Sequence, residues 1–102
     1  ITNVRQSASC APVETECVDV AWQVTDAKSL IASYEVTVKI FYSEAGSNTG
    51  SRTVGGSARS AKVEVFHLGS GGLRSYEVTV KAFRLIKTIK TIVATGTRSG
   101  NF

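Results

Sequence analysis

The 102-residue chain has no methionine, one proline, one histidine, one tryptophan and two cysteines. Each scarcity excludes something. With no methionine even at position 1, the chain is expected to be a mature or excised segment whose start lies elsewhere, behind a removed leader. A single histidine, His67, leaves too few partners for a zinc site and little material for acid–base chemistry. His67 directly follows Phe66 and is read as a solvated strand-end residue. No apolar run approaches the roughly 18 residues of a membrane-spanning helix, so no membrane insertion is expected. The eight carboxylates are scattered. Glu14, Glu16 and Asp19 read as strand-edge charges and not as calcium ligands. The expectation is a protein that is not an enzyme, with no cofactor and no metal.

Strong charge is also missing. The net charge is +4, from 12 Lys and Arg against 8 Asp and Glu, and the bases are spread over strands and loops. Lys81, Arg84, Lys87 and Lys90 come nearest to a cluster, beside a predicted turn. No aromatic platform interleaved with bases is present, so no nucleic-acid partner is expected. Gly69-Ser70-Gly71-Gly72 lacks the Lys-Ser/Thr and the helix of a phosphate loop and reads as a turn. Cys10 and Cys17 are spaced too widely for a CxxC redox pair. They form either a local disulfide or two unrelated buried thiols. The disulfide is preferred, because Pro12 and the acids between them read as a turn that brings the chain back. Such a ring stabilises by roughly 2–3 kcal/mol in the chain-entropy model and implies an oxidising compartment.

What the chain does have is a nine-residue segment that occurs twice. Ser33-Tyr34-Glu35-Val36-Thr37-Val38-Lys39-Ile40-Phe41 returns as Ser75-Tyr76-Glu77-Val78-Thr79-Val80-Lys81-Ala82-Phe83, 42 positions on, with one change. Both copies alternate apolar and polar residues with the period of a half-buried strand. Their flanks differ, which argues against an internal duplication. As antiparallel neighbours, one register opposes Val36 to Val80, Val38 to Val78 and Thr37 to Thr79. That register also matches Glu35 with Lys81 and Lys39 with Glu77, so strand pairing accounts for the duplication.

Val, Ile, Thr, Tyr and Phe dominate elsewhere and helix signals are nearly absent. Strands are expected over about Thr2–Ser9, Cys17–Val24, Ser33–Ser43, Ser51–Val54, Ala61–Phe66, Ser75–Arg84 and Thr88–Thr97. Short, regularly spaced strands of this kind build an antiparallel sandwich or a barrel in a single domain, residues 1–102. The expected core is Trp22, Tyr34, Val36, Val38, Val63, Val65, Val78, Val80 and Ala82. Phe83, Leu85 and Ile86 are the expected exposed apolar group.

Val18-Asp19-Val20-Ala21-Trp22, then Ser33-Tyr34-Glu35-Val36-Thr37-Val38, then Ala61-Lys62-Val63-Glu64-Val65-Phe66-His67-Leu68 and Tyr76-Glu77-Val78-Thr79-Val80-Lys81-Ala82 together carry a family resemblance. In their order and spacing the chain resembles a fibronectin type III domain, from Thr2 to Arg98. The resemblance implies an all-β, immunoglobulin-like antiparallel β-sandwich of about seven strands with fibronectin type III topology. It makes the third and sixth strands neighbours and makes Tyr76 a "tyrosine corner", its hydroxyl bonded to nearby backbone. No Arg-Gly-Asp is present, so the family's best-known integrin motif is missing. The function expected from the resemblance is an extracellular module, secreted or at the cell surface, for protein binding or cell adhesion. Its partner would be another protein or a neighbouring domain of the same chain. A spacer or accessory domain of a larger secreted protein or carbohydrate-active enzyme is the alternative, and a small secreted inhibitor or effector a third. The expected binding residues lie at one end of the sandwich: Asp26, Lys28, Leu30 and Ile31 from one connection, and Phe83, Arg84, Leu85, Ile86 and Lys87 from another.

Overall fold

Alternating side chains translate directly into sheet faces in the computed structural model, which describes residues 3–6, 15–24, 31–66 and 70–102. The strands are β1 (Asn3–Gln6), β2 (Thr15–Ala21), β3 (Ser33–Tyr42), β4 (Ser47–Gly55), β5 (Ser60–Phe66), β6 (Leu73–Ile86) and β7 (Ile89–Asn101). They form two antiparallel sheets, ordered β1-β2-β5 and β4-β3-β6-β7, and the described residues include no helix.

One apolar core joins the sheets into a β-sandwich. Val18 and Val20 of β2 and Ala61, Val63 and Val65 of β5 come from one side. Tyr34, Val36, Val38, Ile40 and Tyr42 of β3 and Tyr76, Val78, Val80 and Ala82 of β6 come from the other. All nine expected core residues are buried. Trp22 lies just past the end of β2 at 4% exposure. Its amide donates to the Arg59 carbonyl at 3.0 Å, and its ring centroid stands 5.2 Å from that of Tyr34. The indole Nε1 is buried with no hydrogen-bond partner among the described residues.

The two copies of the nonapeptide are neighbours in the anticipated register. Val36 faces Val80, Thr37 faces Thr79, Val38 faces Val78, Glu35 faces Lys81 and Lys39 faces Glu77. Magnitudes show which interaction holds this register. Each valine turned outward by a one-residue slip forfeits about 1.5–3 kcal/mol of burial. Each cross-strand charge match contributes only about 0.2–1 kcal/mol. The apolar face fixes the register and the charges refine it. Lys39 is also held locally, its ammonium 5.0 Å from the centroid of the Phe41 ring.

Several strands run past their expected ends. β4 reaches from Ser47 to Gly55, where the sequence marks only Ser51–Val54. Its sequence, SNTGSRTVG, carries almost no apolar alternation, and the ladder to β3 holds it from Ser33↔Gly55 to Phe41↔Ser47. β4 also closes one side of the sandwich. Arg52 Nη1 donates to the Lys62 carbonyl at 3.1 Å, and Asn48 Nδ2 donates to the Phe66 carbonyl at 2.7 Å. Gly50 permits this approach, since a Cβ there would lie 2.2 Å from the Glu64 carbonyl oxygen.

Cys17 is buried in β2 at 2% exposure. Cys10, its expected disulfide partner, lies outside the described residues, as does Glu14.

Candidate functional site

The last β3–β6 pair is Ser33↔Phe83. Beyond it, among the described residues, β6 pairs with β7 alone, through Arg84↔Thr91, Leu85↔Lys90 and Ile86↔Ile89. This free-standing end of the hairpin extends roughly 13 Å at about 3.3 Å per residue. Its root is anchored. Ala32 N–H donates to the Phe83 carbonyl at 2.8 Å, and Ile31 packs half-buried against the core. Gly56 allows that packing, because a Cβ there would lie 1.7 Å from the Ile31 carbonyl oxygen.

Directly opposed residues of an antiparallel pair share a face. Leu85 and Ile92 therefore lie with Lys90 on one face, and Ile86 and Ile89 lie with Arg84 on the other. All four aliphatics are open to solvent: Leu85 60%, Ile86 46%, Ile89 67% and Ile92 52% exposed. Phe83 departs from the expectation. It is only 8% exposed, with the Lys90 ammonium 4.2 Å from its ring centroid, so it forms the buried root of the hairpin.

The two-residue turn is unusual. Lys87 and Thr88 both have positive φ, 50° and 69°. Hairpin turns with two such residues favour Asn-Gly, and a β-branched residue in this region is an outlier. The Thr88 hydroxyl donates to the Lys87 carbonyl at 2.5 Å. Lys87 is thus held at the tip against its backbone preference.

Charge is concentrated in the same place. After Glu77 the chain has no acid and five bases: Lys81, Arg84, Lys87, Lys90 and Arg98. The first 77 residues carry seven bases and eight acids, so the positive net charge resides in the C-terminal quarter.

Of the expected site residues, Ile31, Phe83, Arg84, Leu85, Ile86 and Lys87 meet at the hairpin root and tip. Asp26, Lys28 and Leu30 lie outside the described residues, as does His67. Ile89, Ile92 and Val93 were missed. Their signal is the three-residue repeat Ile86-Lys87-Thr88-Ile89-Lys90-Thr91-Ile92. Ile86 and Ile89 meet across the turn on one face while Ile92 falls on the other, so a search for one apolar face overlooks the set. A bulge adds to this: Ala82 pairs with Ala94 but Phe83 pairs with Ile92, leaving Val93 over.

Tyr76 is buried and meets Phe102 edge-on, centroids 5.1 Å apart. Residues 67–69, among which the corner bond is sought, lie outside the described residues. Among the described residues two open grooves follow the β4–β5 seam, lined by Arg52 and Lys62 with Asp19 in one and Glu64 in the other. No group of three or more His, Cys, Asp or Glu among the described residues could hold a metal ion. Comparison with family models, curated proteins and solved structures gives no match.

Proposed function

We propose that this chain is a non-catalytic, extracellular module of the fibronectin type III kind that binds a protein partner through the distal β6–β7 hairpin. The observation that carries the reading is the free-standing hairpin end. It presents two pairs of solvent-open aliphatics, Leu85 and Ile92 beside Lys90 on one face and Ile86 and Ile89 beside Arg84 on the other, with Lys87 at the tip. Apolar residues ringed by charge are what a modest protein interface requires. The turn supports this, since Lys87 and Thr88 occupy a conformation that Asn-Gly would adopt more easily. The strand order β1-β2-β5 over β4-β3-β6-β7 supports the fibronectin type III kinship. The Cys10–Cys17 disulfide and an oxidising, extracellular location belong to the same proposal.

Leu85→Ala/Ile86→Ala/Ile89→Ala tests it. An array of extracellular proteins is probed with the native and substituted chains, alongside thermal unfolding. Loss of a captured partner with an unchanged melting midpoint is expected. A large drop in the midpoint would place these residues in the core and end the proposal.

A further inference from the structure

The sandwich leaves its sheet edges in unequal states. Along β4 and β5, Arg52 and Asn48 donate across to β5 carbonyls, and the backbone comes close at Gly50. β7 has no comparable cover. Among the described residues it pairs with β6 only, and all 13 of its residues are exposed or half-exposed. From Ala94 to Asn101 its residues are Ala, Thr, Gly, Thr, Arg, Ser, Gly and Asn. Apart from Arg98 these are small, with no proline to interrupt a row of outward N–H and C=O groups.

Charge selects what can pair there. Lys90 and Arg98 are the only ionisable residues of β7, and no acid follows Glu77. A second copy would bring four positive charges into one ladder with no negative charge from either strand. An extended segment rich in carboxylates meets the same edge with opposite sign.

We infer that β7 accepts an acid-rich, extended segment of a partner protein as an additional strand of the four-stranded sheet. The segment lies along Ala94–Asn101, with its carboxylates drawn to Arg98. Main-chain hydrogen bonds supply the attachment and Arg98 supplies the selection. This rests on the protein-binding reading above and specifies the partner's chemistry.

The probes are three nine-residue peptides of alternating Val and Thr carrying three Glu, three Gln or three Lys at the same positions. Each is titrated into the full ¹⁵N-labelled chain while amide exchange is followed. The Glu peptide is expected to bind and to slow exchange along Ala94–Asn101 at least tenfold, with the Gln peptide at least tenfold weaker. Arg98→Glu changes only an exposed side chain. It should keep the melting midpoint, lose the Glu peptide tenfold or more and gain the Lys peptide. Four results would overturn the inference: no slowing along β7, equal binding of the Glu and Gln peptides, binding of phosphatidylserine vesicles but not of any peptide, or β7 protection that rises with protein concentration alone. If the peptides fail while partner capture still depends on Leu85, Ile86 and Ile89, the protein-binding reading stands without strand addition. If both fail, both fall.

Discussion

Single residues here are constrained by backbone proximity more than by side-chain chemistry. Gly50 sits where β4 passes over β5, with no room for a Cβ beside the Glu64 carbonyl. Gly50→Ala is expected to destabilise by about 1–3 kcal/mol, the range for overpacking a close contact. Urea denaturation would show it as a lower midpoint at unchanged slope. Thr88 poses the opposite case. Its φ of 69° costs an L-residue with a branched side chain roughly 1–2 kcal/mol, and glycine removes that while adding chain entropy. Thr88→Gly should therefore stabilise by about 0.5–1 kcal/mol. A lower melting temperature for this variant would mean that the Thr88 hydroxyl bond to Lys87 outweighs the backbone cost.

Individual strands show how far the sequence could be read. β3, β5 and β6 from Tyr76 to Ala82 were legible because every second residue is buried, and their alternation is the plainest signal a strand offers. The pairing of β3 with β6 was legible because Val, Thr, Glu and Lys match in one register only. β4 was half legible, since Ser47–Gly50 reads as a glycine-serine turn and becomes strand only through its ladder to β3. The distal hairpin was half legible as well. Leu85 and Ile86 stood out beside the bases, whereas Ile89 and Ile92 were hidden by a three-residue period and a bulge. Phe83 was misjudged because its alternation places it on the outer face, where Lys90 covers it. The β3–β6 charge matches give this scale its test. Lys39→Glu should cost about 0.5 kcal/mol, and adding Glu77→Lys should recover part of it. Zero coupling in that double-mutant cycle would show that Lys39 is held by Phe41 alone.

The molecule as a whole divides into a nearly neutral sandwich and a basic, aliphatic hairpin. Leu85→Ala/Ile86→Ala should shift stability by less than about 0.5 kcal/mol, as surface changes do, because neither side chain enters the core. The proposed Cys10–Cys17 bond makes a prediction of similar scope. Intact mass after alkylation without reductant should show no added group, and two added groups would mean two thiols. One feature of the sheet also bears on how the chain reaches its fold. Because β6 repeats the sequence of β3, each strand is complementary to itself as well as to its partner. Two β3 segments from different chains, laid antiparallel about Thr37, match Val36 with Val38 and Glu35 with Lys39, as β3 and β6 do in the native sheet. An unfolded chain therefore meets in every other chain a template as well matched as its own. Refolding becomes a contest between closing a 42-residue separation within one molecule and colliding with another, so the yield of monomer should fall steeply as the chain is refolded at higher concentration.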